Sequence, residues 1–138
     1  MTLVLDASAL CGLLVGGGPD RATARLVEEH SGDLNLPHLA VVETASALRR
    51  MAALGVVPES RAREALDDLA DLPATRWPAD ELLPRIWALR GNLSAYDATY
   101  VALAESLDGT LLTGDRRLAH AAAGRARCDV QLVGLAGA

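Results

Sequence analysis

Short apolar runs alternate with helical stretches along this chain, and that alternation confines it to a narrow class of folds. Leu3-Val4-Leu5, Leu34-Asn35-Leu36, Thr75-Arg76-Trp77, Thr110-Leu111-Leu112-Thr113 and Val130–Val133 read as strands. The segments between them carry apolar residues at helical spacing. Strands joined through helices pair in parallel, and a parallel sheet needs cover on both faces. The expectation is an α/β fold with helices on either side of a parallel sheet. At 138 residues, residues 1–138 are expected to form a single domain.

Turn and cap residues place the helices. The first is expected over about Ala9–Val15 and is broken by Gly16-Gly17-Gly18-Pro19. Asp20 is placed to cap a second that runs to about His30. Pro37 opens a third that ends at Gly55, with Leu39, Val42, Ala45, Leu48 and Ala52 along it. A fourth runs from Pro58 to Pro73 with Ala62, Ala65, Leu66 and Leu69 on one face. A fifth spans about Ala79–Leu89 with Leu82, Leu83, Ile86 and Leu89 inward. Ser94 starts a sixth to about Leu107, and a short seventh covers about Arg117–Ala123.

Composition removes several classes of function. Half of the residues are apolar and Phe is absent, so the core is aliphatic. All 13 basic residues are Arg, which excludes any mechanism that needs a lysine. A net charge of −5 gives no global attraction to nucleic acid, so RNA binding must come from local Arg clusters. Cys11 and Cys128 match no metal or redox spacing and read as free, buried thiols in a reducing cytosol. No leader pattern opens the chain, and no apolar run approaches the roughly 18 residues that span a membrane. The expected location is the cytoplasm.

Four acids stand at or near the ends of these elements: Asp6, Glu43, Asp97 and Asp115. Asp6 and Asp115 each follow an apolar strand, and the loops after such strands form the ligand crevice of a parallel sheet. Two unit charges about 5 Å apart repel by roughly 3 kcal/mol at an effective dielectric near 20. Convergent carboxylates therefore need a cation or raised pKa values. Oxygen-only donors suit Mg²⁺ or Mn²⁺. Each acid also has a purely structural role open to it. Asp6 could cap the helix after it, and Asp97 stands three residues after Ser94, as in a capping box. Asp115 could close a turn through Gly114. Glu43, on or beside an apolar face, needs a partner, and Arg49 or Arg50 is within one to two turns.

The segments Val4-Leu5-Asp6-Ala7-Ser8-Ala9-Leu10, Leu36-Pro37 with Glu43 and Leu48-Arg49-Arg50, Leu93-Ser94-Ala95-Tyr96-Asp97-Ala98, and Leu111-Leu112-Thr113-Gly114-Asp115-Arg116-Arg117-Leu118 come in a telling order. Together they resemble the PIN-domain family, and within it the VapC-type toxins. The resemblance implies a three-layer α/β/α sandwich with strand order 3-2-1-4-5. It implies that Asp6, Glu43, Asp97 and Asp115 bind Mg²⁺ or Mn²⁺, with the hydroxyls of Ser8 and Thr113 in support. It further implies an endoribonuclease that cuts tRNA or rRNA, is blocked by a cognate antitoxin, and forms a homodimer.

Arg116 and Arg117 adjoin a predicted metal ligand and are candidates for RNA phosphate contacts. Arg49, Arg50 and Arg90 are candidates too, with a solvated helix face or an ion pair as the competing reading. His30, His38 and His120 show no ligand pattern. Trp77 and Trp87 read as core or dimer-interface aromatics. A phosphoacceptor receiver would need a late lysine, and a haloacid-dehalogenase-type phosphatase an Asp where Ser8 stands. Gly16-Gly17-Gly18 follows a helix, so it is no dinucleotide loop. The remaining alternative is an RNA- or partner-binding module that keeps the acidic pocket without cutting.

Overall fold

A computed structural model describes residues 2–16, 21–29 and 33–133. The elements are β1 (Leu3–Leu5), α1 (Ala7–Val15), α2 (Arg21–Glu29), β2 (Leu34–Pro37), α3 (His38–Ala53), α4 (Glu59–Asp71) and β3 (Thr75–Trp77). A 3₁₀ turn (Asp80–Leu82) follows, then α5 (Leu83–Ala88), α6 (Ala95–Ser106), β4 (Thr110–Thr113), α7 (Arg116–Ala122) and β5 (Asp129–Leu132). The five strands form one parallel sheet in the order β3-β2-β1-β4-β5. Residues in β1, β2 and β4 are buried throughout, which is why these runs carry no polar–apolar alternation.

The chain runs from β1 to β2 and β3 on one side and then crosses back to β4 and β5 on the other, so the order reverses between β1 and β4. Loops on either side of such a point diverge and leave a crevice at the strands' carboxyl ends. The Asp6 amide donates to the Leu112 carbonyl at 3.2 Å, which carries the β1–β4 pairing up to the rim of that crevice. α6 packs across β1, β2 and β4, while α1, α3 and α4 pack on one another. The main core combines the strands with α6 residues such as Tyr100, Val101 and Leu103. A second apolar cluster, with Cys11, Leu14, Leu48, Ala65 and Leu69, joins α1 to α3 and α4. Arg61 on α4 donates to the Leu14 carbonyl in the last turn of α1, closing that helix end.

Several boundaries and faces differ from expectation. α1 begins two residues early because the Asp6 side chain caps it directly. The expected Ala79–Leu89 helix is split into a 3₁₀ turn and α5. Pro84, in the first turn of α5, has no N–H and would clash with the carbonyl four residues back in a continuous helix. The offset turns Leu83 outward at 57% exposure while Leu82, Ile86 and Leu89 stay buried. On α3 the buried line is Ala40, Thr44 and Leu48, and Val42 is 70% exposed. Leu66 on α4 is also exposed. The Asp20 cap and His30 lie outside the described residues. Among the described residues, no helix is long and apolar enough to cross a membrane.

Candidate functional site

Asp6, Glu43, Asp97 and Asp115 line one cavity of about 230 Å³ at the crevice, together with Ser8, Ser46, Arg50 and Tyr100. Four separate elements deliver the acids. Asp6 leaves β1, Glu43 lies within α3, Asp97 in the first turn of α6, and Asp115 ahead of α7. Asp6 caps α1 as weighed, Asp115 caps α7 rather than only closing a turn, and in α6 the cap is Ser94, with Asp97 inside the helix. Asp6 Oδ1 accepts from the Ala9 amide at 2.9 Å. Asp115 Oδ1 accepts from the Arg117 and Leu118 amides at 2.9 and 3.2 Å. Ser94 Oγ accepts from the Asp97 amide at 3.1 Å, so Asp97 holds the third helical position. Capping and site geometry are therefore one arrangement: the helix starts fix where the carboxylates stand.

Asp6 is the innermost, at 4% exposure. Ser8 Oγ donates to its Oδ1 at 2.6 Å, and Thr113 Oγ1 donates to its Oδ2. Burial pushes the Asp6 carboxyl above the ordinary range. The Ser8 and Thr113 hydroxyls and the Ala9 amide oppose that shift, and the nearby Asp115 charge adds to it. The same two hydroxyls tie the β4 loop in place. Ser8 Oγ accepts from the Gly114 amide at 2.8 Å, and Thr113 Oγ1 from the Asp115 amide at 3.0 Å. Ser8 and Thr113 thus fix Asp6 and Asp115 relative to each other.

The chemistry of the lining fits a hard divalent cation. Four carboxylates and two serine hydroxyls face one space, with Arg50 the cationic side chain among the lining residues. Among the described residues, no three His, Cys, Asp or Glu side chains already enclose a common point. Each acid is instead held by a neighbouring side chain: Asp6 by Ser8 and Thr113, Glu43 by Tyr100, and Asp97 and Asp115 together by Arg117.

The PIN-domain pattern matches residues 3–124, most of the chain. The chain belongs to the PIN-domain family. It is 42% identical over 131 residues to the ribonuclease VapC9 of Mycobacterium tuberculosis strain H37Rv, covering 95% of this chain and 98% of that relative. Among solved structures it resembles PAE2754 from Pyrobaculum aerophilum, with a TM-score of 0.68 at 27% identity over 94% of this chain and 83% of the other. Its fold also matches a toxin–antitoxin complex from Klebsiella pneumoniae, with a TM-score of 0.63 at 20% identity, covering 90% of this chain and 92% of that one.

In this PIN domain Glu43 finds a partner that differs from the expected Arg49 or Arg50. The buried Tyr100 phenol donates to Glu43 Oε1 at 2.5 Å. Burial, and then the Glu43 carboxylate, push the Tyr100 phenol well above its ordinary range, so it stays a donor. The signal was present in the sequence: Tyr100 stands three residues after Asp97, on the same side of α6. Ser46 is a second lining residue that sequence reasoning passed over.

The arginine candidates separate. Arg50 lines the acidic cavity, and Arg117 pairs with Asp97 and Asp115. Arg116 is exposed in the first turn of α7. Arg49 lines a different groove, between α3 and α4. Arg90 lies over the Trp87 ring at 4.6 Å and donates to the Trp87 carbonyl. Trp87 is 67% exposed, so it is no core residue. Trp77 is half-buried and donates its indole N–H to Asn35 Oδ1 at 2.8 Å, linking β3 to β2. Both thiols are free. Cys11 is buried and Cys128 half-buried, and burial raises each to about 11.

Proposed function

We propose that this PIN-domain protein is a metal-dependent endoribonuclease, the toxin of a toxin–antitoxin pair. The observation that carries the reading is the convergence of Asp6, Glu43, Asp97 and Asp115 on one cavity in a chain 42% identical to a ribonuclease. Mg²⁺ or Mn²⁺ held by these carboxylates would activate water and offset charge on the scissile phosphate. Asp6, Asp97 and Asp115 serve as the principal ligands, with Ser8 and Thr113 fixing Asp6. Glu43, oriented by Tyr100, completes the site or aligns the attacking water. In-line attack leaves a 5′-phosphate and a 3′-hydroxyl. Arg50, Arg116 and Arg117 hold the RNA backbone, with Arg49 and Arg90 as outlying contacts for a longer strand.

The cognate antitoxin would block this site, as suits a fold shared with a toxin–antitoxin complex. The substrate class is cytoplasmic tRNA or rRNA. Exposed Leu83, Trp87 and Tyr96, on α5 and at the start of α6, support a homodimer. The test is cleavage of total RNA by purified protein in Mg²⁺, Mn²⁺ or EDTA, with Asp6→Asn as the control for contaminating nuclease. Cleavage lost in EDTA and in the variant supports the enzyme. RNA binding without cleavage in either metal would identify a silent binding module instead.

A further inference from the structure

Arg117 stands apart from the other arginines because it touches two members of the acidic set at once. Its Nη2 lies 3.3 Å from Asp97 Oδ2 and 3.6 Å from Asp115 Oδ2. Asp115 divides its two oxygens between tasks: Oδ1 caps α7, and Oδ2 faces the guanidinium. The cap fixes the Arg117 backbone to the same carboxylate, since Asp115 Oδ1 accepts its amide. The side chain itself is 75% exposed, whereas Asp97 is only 18% exposed. A guanidinium has five donors in a rigid fork that suits a phosphate as well as a carboxylate.

We propose that Arg117 is the built-in counter-ion of the metal centre: it competes with the divalent cation for Asp97 and Asp115, and once displaced it takes an RNA phosphate. The inference rests on the metal-dependent reading above and adds an order of events to it. Two like charges brought together by α6 and α7 need a cation, and the structure supplies one from the chain. A divalent cation ligated by the same two carboxylates weakens their hold on Arg117. The released guanidinium remains tethered within the first turn of α7, at the mouth of the cavity. Metal uptake thereby presents a phosphate-binding group where the substrate must lie.

Calorimetric titration with Mn²⁺ tests this on wild type, Arg117→Ala, Arg117→Lys, Arg116→Ala and Asp6→Asn, each checked for folding by circular dichroism. Removing a screened pair with each carboxylate should tighten Mn²⁺ binding about threefold or more in Arg117→Ala. Arg117→Lys, which keeps the charge, should stay near wild type, and so should Arg116→Ala, which removes the same charge next door. The dependence of kcat/KM on salt should become shallower by about 0.7 in log–log slope for Arg117→Ala, the effect of one lost contact to a single strand. Unchanged or weaker Mn²⁺ binding by Arg117→Ala overturns the inference, as does an equal gain in Arg116→Ala. If wild type and Asp6→Asn take up Mn²⁺ alike, the metal reading itself fails and the inference falls with it. A wild-type-specific Mn²⁺ site insensitive to Arg117 would sink the inference alone.

Discussion

Replacing Asp6 by Asn separates the charge of this residue from its shape, and the structure predicts opposite effects on stability and activity. The amide oxygen can keep both bonds made by Oδ1, to the Ala9 amide and to the Ser8 hydroxyl. The amide nitrogen then faces Thr113 Oγ1, which accepts from the Asp115 amide and has a second lone pair for it, while the Thr113 hydrogen turns towards Ser8 Oγ at 3.5 Å. Asn is as good a helix cap as Asp. What disappears is a carboxylate that burial and Asp115 both disfavour. Active sites hold such conflicts at a cost in stability, and removing one commonly stabilises the fold while activity is lost. In EDTA at neutral pH, Asp6→Asn should therefore unfold at an equal or higher urea concentration than wild type. The folded carboxyl binds its proton more tightly than the unfolded one, so ionising it costs the folded state. That cost is absent below the ordinary value of 3.8 and is fully expressed above the raised one. The advantage of the variant should thus grow as pH rises from about 4 towards neutrality. Metal should reverse the order. At 100 times its Kd, Mg²⁺ stabilises a protein that binds it only when folded by about 2.7 kcal/mol. Wild type should gain that amount and the variant little. A variant more than about 1 kcal/mol less stable than wild type in EDTA would refute the reasoning, because losing only a disfavoured charge cannot cost what a broken buried network does.

Three further outcomes follow from contacts around the site. Tyr100→Phe keeps the buried ring and removes the donor to Glu43, so kcat should fall about tenfold with KM little changed, and stability by about 1 kcal/mol; steady-state kinetics with unaltered kcat would show that Glu43 needs no such hold. Glu105→Gln should cost about 1.5–3 kcal/mol in urea unfolding at pH 7, since Glu105 accepts from Arg85 Nε and Nη2 at 2.7 and 3.1 Å and from the Arg127 amide at 2.7 Å. Burial alone would raise the Glu105 carboxyl, but these donors outweigh it and hold it low. The stability it adds is therefore present above its ordinary 4.5 and is lost as pH falls below it, and the gap between variant and wild type should close there. Gly109→Ala should destabilise by about 1–3 kcal/mol, because its Cβ would meet the Thr2 carbonyl at 2.8 Å, the oxygen that accepts from Thr110 to start the β1–β4 pairing; an unchanged urea midpoint would mean the strand ends shift freely.

The parts of this protein set by local chemistry were legible in the sequence. Apolar strands, helix starts and the four acids depend on short-range pattern, and the family resemblance supplied the strand order that pattern alone leaves open. What escaped depends on contacts between distant elements. The Glu43 partner is Tyr100, fifty-seven positions away, and α3 neighbours such as Arg49 and Arg50 were the local alternatives. Val42 and Leu83 look inward by composition but turn outward, Leu83 because Pro84 resets the helix phase. In the sequence, a cap at Asp6, a capping box at Asp97 and a turn at Asp115 are each an alternative to a site role; in the structure Asp6 and Asp115 are caps, and Asp97 stands inside a helix that Ser94 caps. These placements are compatible with a site role, because a helix start is also a good place to fix a carboxylate at a crevice.

Four carboxylates converging on one cavity should share a divalent cation. Crystals soaked in Mn²⁺ and measured at its absorption edge address it most directly. An anomalous peak is expected within ligand distance of Asp6, Asp97 and Asp115, with Glu43 beside it and the Arg117 guanidinium moved away. A peak elsewhere, or the same peak in Asp6→Asn crystals, would contradict it.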